Sequence, residues 1–225
     1  MKNYIFFICL LLPGGCESPG QAWFPLGEGY WWQYSAVRSV KGEPHVQKLI
    51  VANLPAVNID GQTLFPRRRA DGKIEYFEKT DTAIYRVDPE DGSRTLLIKK
   101  PIKVGSKWQA SSKILFLKVT GAFEATYDRR IKEDINIDYE IESVNDVVKV
   151  AAGRFTNCMR IKGKGSIYGG GGSLKEFMNI DNINIETVDW YAPGVGLIKR
   201  TRKEYTYPLK FENNYSEELQ SIKTG

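Results

Sequence analysis

Ile131-Lys132-Glu133-Asp134-Ile135-Asn136-Ile137-Asp138-Tyr139-Glu140-Ile141-Glu142 is the stretch whose pattern decides the fold. Ile131, Ile135, Ile137, Tyr139 and Ile141 take odd positions. Lys132, Asp134, Asn136, Asp138, Glu140 and Glu142 take even ones, and only Glu133 is out of phase. Successive side chains of a strand point to opposite faces, so a repeat of two over a dozen residues specifies a long β-strand, one face buried and one wet. At helical spacing the same residues scatter around the wheel. Ile183, Ile185, Val188 and Trp190 alternate as well, with a change of phase at Glu186-Thr187 that predicts a β-bulge.

Working outward, turn signals recur between short apolar runs. Asp60-Gly61, Asp71-Gly72 and Asp91-Gly92 stand about ten residues apart with β-branched and aromatic residues between them, the pattern of antiparallel hairpins. Ser216-Glu217-Glu218-Leu219 offers a turn, and no window makes a convincing amphipathic helix. Strands of ten or more residues twist and curl a sheet around its core. The expected fold is therefore all-β with little helix: a strongly curved antiparallel sheet, an open barrel or a sandwich, built of long strands and hairpins. Gly163-Lys164-Gly165 and the run Gly169-Gly170-Gly171-Gly172 read as a flexible loop. Their spacing does not match a phosphate-cradling glycine loop.

An internal echo, P-x-x-x-G-x-x-W-Q, joins residues 25–33 to residues 101–109. In each copy a glycine able to adopt positive φ precedes a tryptophan anchor by three residues. The echo suggests two related β layers, 25–100 and 101–210.

Composition places the 225 residues among folded chains, with 42% hydrophobic, 26% charged and 12% aromatic content. The amino terminus joins Lys2 to an apolar run over residues 4–12, then Pro13-Gly14-Gly15-Cys16. Nine residues rise only about 14 Å as a helix against a hydrocarbon core of ~30 Å, so this is an export signal and not a span. Small residues before a cysteine resemble bacterial lipoprotein precursors, although Pro13 holds the place where those usually carry Leu. The resemblance implies a signal peptide over residues 1–15, lipidation of Cys16, and a tether over residues 16–24. Glu17 after the cysteine resembles the pattern sent to the outer membrane.

Processing removes Cys9 and consumes Cys16, leaving Cys158 with no partner for a disulfide. Cys158 then reads as a small buried hydrophobe. Lys2 is the only charged residue lost, so the net charge of +5 falls to +4. That excess is too diffuse to indicate nucleic-acid binding. Arg67-Arg68-Arg69, beside the Asp71-Gly72 turn, reads as a solvated hairpin end, the other possibility being contact with an anionic headgroup or glycan.

Three segments resemble the TapB-like domains, exported bacterial β domains of undefined role. They are Pro25-Leu26 with Gly29, Trp32 and Tyr34; Val148-Lys149-Val150-Ala151-Ala152-Gly153-Arg154-Phe155-Thr156-Asn157-Cys158; and Trp190-Tyr191-Ala192-Pro193-Gly194-Val195-Gly196-Leu197-Ile198-Lys199. In the second, Ala151 stands where that family has Pro. The resemblance implies one TapB-like domain over residues 25–210, leaving residues 211–225 as a carboxy-terminal tail. None of the three motifs embeds a nucleophile, general base or metal ligand.

The remaining chemistry is sparse. His45 is the sole histidine, which excludes multi-histidine metal sites and leaves one candidate for a triad. It follows Gly42-Glu43-Pro44 in an expected hairpin loop, and no nucleophile elbow accompanies it. Asp134, Asp138, Glu140 and Glu142 are close enough along a strand for a glycoside-hydrolase pair, but they lie on its polar face, where Lys132 and other basic residues would pair with them. Trp32, Tyr34, Trp108 and Trp190 either fill the core or line an apolar groove able to take a lipid or acyl chain. The sequence therefore favours a non-enzymatic, lipid-anchored protein of the outer membrane and cell envelope, binding, assembling or supporting an envelope protein partner, with no cofactor and no metal. An apolar-ligand carrier is the alternative, and a carboxylate-based glycan hydrolase stands third.

Overall fold

The computed structural model describes residues 22–40, 43–115, 134–168, 180–208 and 210–224. Its strands are β1 (Trp31–Val40), β2 (Glu43–Asn53), β3 (Val57–Ile59), β4 (Gln62–Arg69), β5 (Ile74–Lys79), β6 (Ala83–Val87), β7 (Arg94–Lys99), β8 (Lys107–Lys113), β9 (Asp134–Val150), β10 (Gly153–Tyr168), β11 (Ile180–Ala192), β12 (Gly196–Pro208) and β13 (Glu212–Lys223). All pair antiparallel, in the order β7-β6-β5-β4-β2-β1-β13-β12-β11-β10-β9-β8, with β3 beside β4. The described residues contain no helix. The sheet curls until its two end strands face each other, and Lys99 Nζ donates to Lys107 O at 3.0 Å across the gap. The expected all-β fold is thus a nearly closed barrel.

The barrel is uneven. β9 to β13 run 12 to 17 residues each, whereas β4 to β7 run 5 to 8. The short strands join the long ones through three register pairs only, Val51, Ala52 and Asn53 of β2 against Arg69, Arg68 and Arg67 of β4. Beyond those pairs β2 runs on over exposed residues, so one side of the barrel stays open.

Apolar burial holds this shape. Phe24, Leu26, Phe77, Ile84 and Ile98 pack against Trp108, Ile141, Met159, Ile161 and Tyr191 on the concave face. Ile114, Ile135, Ile137, Ile180, Ile183 and Ile185 form a second cluster, and Trp32, Tyr34, Val150, Cys158, Ala192, Ile198 and Leu219 a third. Each large side chain so buried contributes about 1.5–3 kcal/mol. In β9 the odd residues Ile135, Ile137 and Ile141 are buried while Asp134 and Asp138 are exposed, as the alternation demands. Residues 131–133 lie outside the described residues. All three Asp-Gly turns close hairpins, between β3 and β4, β4 and β5, and β6 and β7. Gly29 and Gly105 of the internal echo have φ of 86° and 84°, and each turns the chain into the strand that carries Trp32 or Trp108.

Several expectations need correction. Residues 212–223 are not a tail: β13 inserts between β1 and β12. Ser216-Glu217-Glu218-Leu219 is strand within it. His45 lies in β2, opposite Arg38, and not in a hairpin loop. Gly163 and Gly165 are strand residues of β10, placed there for close approach and not for flexibility. A Cβ on Gly163 would lie 2.7 Å from Thr187 Cγ2, and one on Gly165 would lie 2.6 Å from Asn136 O. Gly169-Gly170-Gly171-Gly172 falls outside the described residues. In β11 the register slips at Ile180/Asn182 and Trp190/Tyr191 and not at Glu186/Thr187, so Thr187 and Asp189 stay in phase with Ile183 and Ile185 and are buried.

Candidate binding site

Cross-strand partners share a face, so the register defines what lines the concave side. One row reads Gln47, Ala36, Glu217, Arg200, Asp189, Ile161, Ile141. The next reads His45, Arg38, Tyr215, Arg202, Thr187, Gly163, Tyr139, Trp108. Charged residues therefore occupy the middle of an otherwise apolar interior, and buried charges persist only when paired or hydrogen-bonded.

Arg200 and Asp189 form a bidentate pair. Nε donates to Oδ1 at 2.8 Å and Nη2 to Oδ2 at 2.6 Å. Tyr191 OH donates to Asp189 Oδ2 at 3.4 Å, and Arg200 Nη1 stands 4.0 Å from Glu217 Oε2. Tyr215 OH donates to Glu217 Oε2 at 3.1 Å. Burial opposes the charge on Arg200, but the Asp189 carboxylate holds the guanidinium well above its ordinary value. Burial likewise pushes the Glu217 carboxyl up, against the pull of Arg200. It pushes up the phenols of Tyr34, Tyr191 and Tyr215 too, each helped by a neighbouring carboxylate.

Two residues along β12, Arg202 is fully engaged. Its Nε donates to Glu204 Oε1 at 2.8 Å, Nη1 to Ser112 Oγ at 2.8 Å and Nη2 to Lys113 O at 2.6 Å. Glu204 Oε1 also accepts from Leu115 N at 2.9 Å. The end of β8 is thereby drawn across the interior onto β12, with three strands between them in the sheet order.

The triple-arginine run divides rather than forming a solvated end. Arg68 is exposed, but the Arg67 guanidinium lies 4.6 Å from the ring centres of Phe24 and Trp32 and 5.0 Å from that of Phe77. It donates to Asn53 Oδ1 at 2.8 Å and to Pro25 O at 2.9 Å, and burial draws its pKa below the ordinary value. Arg69 points to the same side and acts electrostatically on Tyr215 and Glu217, while pairing with Asp71 at 3.4 Å.

The four aromatic candidates do not share one groove. Trp32 and Tyr34 are buried in the third cluster with half-buried Trp190 against it, whereas Trp108 belongs to the first. Trp32 Nε1 donates to Val195 O at 2.7 Å and Tyr34 OH to Leu197 O at 2.9 Å, which ties β1 to the turn between β11 and β12 and to the start of β12. Trp190 Nε1 donates to Asp146 Oδ2 at 3.2 Å. The carboxylates of β9 lie on the opposite, outer face. Asp138 accepts from Gln109, Glu140 pairs with Lys107, and Glu142 pairs with Arg160 and Lys162, so they are strung along a strand and do not converge in a cleft. Lys132 lies outside the described residues, as does Cys16. Cys158 is buried, its thiol pushed up to about 11 by burial, which makes it an inert core residue. Two grooves of about 340 and 440 Å³ lie on the outer face of β11 and β12, where Glu186 and Lys203 line both.

No family model matches the chain, and no curated protein does. Among solved structures it is similar to a protein from Bacteroides fragilis described as exported with a YmcC-like fold, at 14% identity over 91% of this chain and 100% of that one, TM-score 0.49. It is also similar to a protein from Parabacteroides distasonis described as a lipoprotein, at 12% identity over 90% and 99%, TM-score 0.46. A domain from Vibrio parahaemolyticus described as outer membrane lipoprotein-sorting aligns at 9% identity over 91% and 87%, TM-score 0.25. At such values the likeness carries no side-chain correspondence to Arg200 or its neighbours.

Proposed function

We propose that the chain is a lipid-anchored protein of the outer membrane, tethered through Cys16, whose concave sheet face binds a ligand or envelope partner and performs no catalysis. The observation that carries the binding role is Arg200. Its side chain lies on the inner face of a nearly closed barrel yet keeps 35% of its surface accessible, so solvent or a ligand reaches it from the open side. The carboxylates beside it, Asp189 and Glu217, are bonded to arginine and tyrosine. The anchor is supported by the residues before Cys16, and the TapB-like resemblance by its three motifs. Intact mass and membrane fractionation of the parent beside Cys16→Ala test the anchor. A diacyl or triacyl mass gain that disappears in the variant is expected. An unmodified, soluble parent would overturn the anchor and turn the search to a secreted carrier.

A further inference from the structure

The reading of the concave face as a binding surface leaves its ligand unnamed, and the side chains there supply the chemistry. We propose that the open half of the barrel interior binds a compact anion, a carboxylate or phosphate group, between Arg200 and Arg69 with Arg38 at the rim.

Folding leaves some of these guanidinium donors unconsumed. Arg202 spends all three guanidinium nitrogens inside the protein. Arg200 spends Nε and Nη2 on Asp189, while its Nη1 faces Glu217 at 4.0 Å, beyond hydrogen-bond length. Arg69, on β4, acts on the same Glu217 and Tyr215, with 34% of its side chain accessible and an ion pair to Asp71 at 3.4 Å. Arg38 lies in the adjacent row, its guanidinium 6.0 Å from the Tyr215 ring centre. Ala36 stands opposite Glu217 in the same row. Three guanidinium groups thus stand among three carboxylates: Asp189 holds Arg200 in a bidentate pair, Asp71 takes one edge of Arg69, and Glu217 lies beyond hydrogen-bond length of Arg200. A forked donor set partly removed from water is the arrangement that recognises carboxylate and phosphate.

Glu217 is the internal competitor for these donors. It is faced by Arg200 from β12, Asp189 from β11, Arg69 from β4 and Tyr34 from β1, with Tyr215 on its own strand. Its carboxyl takes up a proton more readily than an ordinary glutamate, and each proton gained there leaves the arginines with more net charge for an external anion. Binding should therefore tighten as pH falls.

The test titrates the mature protein in detergent with inorganic phosphate and with glucuronate, by calorimetry, and adds co-sedimentation with phosphatidylglycerol vesicles. Saturable binding of a small anion, weakened at least tenfold in Arg69→Gln, is expected, and it would identify a free anion or acidic sugar as sufficient. Binding to vesicles alone, equally dependent on Arg69, would support the same site with a lipid headgroup as its source. Glu217→Gln should bind several-fold more tightly at pH 8 and lose most of the pH dependence, a readout that stands even if Arg69→Gln fails to fold. No saturable binding by any probe, or binding that neither substitution changes, would overturn the proposal. Such a failure leaves the acyl-mass result on Cys16 untouched, so the anchor and the anion site stand or fall separately.

Discussion

Arg200 and Arg202 are the same residue type on the same face of the same strand, two positions apart, and they meet opposite fates. Arg202 and Glu204 are sealed, with 10% and 0% of their side chains accessible, and they pin the end of β8 across the interior. Arg200 and Asp189 are 35% and 11% accessible and leave a donor unspent. What separates them is the cover above the sheet. Residues 112–115 lie over Arg202 and Glu204, whereas the short strands stop before they can close over Arg200. The sealed pair is a structural clamp. The open pair is a surface that has been folded inward.

That contrast can be broken most forcefully at Glu204. Replacing it with alanine leaves the largely buried Arg202 guanidinium without its carboxylate, and the expected loss is about 3–5 kcal/mol in a denaturant titration. A loss below about 1 kcal/mol would mean that the clamp is not what closes the barrel. Asp189→Asn should cost less, about 1–3 kcal/mol, because Arg200 keeps access to solvent and one amide oxygen to donate to. Equal costs at the two sites, measured side by side, would erase the distinction between sealed and open.

The smallest effect belongs to Glu217 and appears as a slope. Its carboxyl is raised in the folded state, so between the ordinary glutamate value and the folded one the native protein holds more protons than the unfolded chain. Stability from this group is therefore present at low pH and is lost as pH rises through that window. Glu217→Gln should flatten the slope and gain up to about 1 kcal/mol at neutral pH. Thermal melts at pH 4 to 8 that keep the parent's slope in the variant would show that another group sets it.

The sequence made β9 and the hairpins legible because there apolar residues alone mark the buried face and Asp-Gly marks the turns. It hid the binding site for the converse reason. Thr187 and Asp189 fall in phase with Ile183 and Ile185, but polar residues at inward positions read as a change of face, so a bulge was expected where the strand runs on. A usable signal was present on either side. Arg200, Arg202 and Glu204 continue the phase of Ile198, while Tyr215 and Glu217 continue that of Leu219. Only the cross-strand register shows that these inward charges meet one another, and that meeting is what makes their burial tolerable. Arg67 is hidden in the sequence in a similar way. Three arginines beside a turn suggest solvent, whereas the middle one alone is exposed and the first sits among three aromatic rings.

The pairing of β1 with β13 also governs how this chain can fold. Trp31 lies opposite Lys223, so the central seam joins the first described strand to the last, nearly the longest sequence separation the chain permits. Such a contact bears the largest loop-closure entropy before it returns any stability, which makes formation of the seam slow compared with the hairpins on either side. The hairpins from β4 to β7 and from β9 to β12 can assemble early, but the barrel acquires its middle only after residues 212–223 are available. Until then β1 and β12 each expose an unpaired edge, and the unfinished protein is at its most prone to pair with its neighbours.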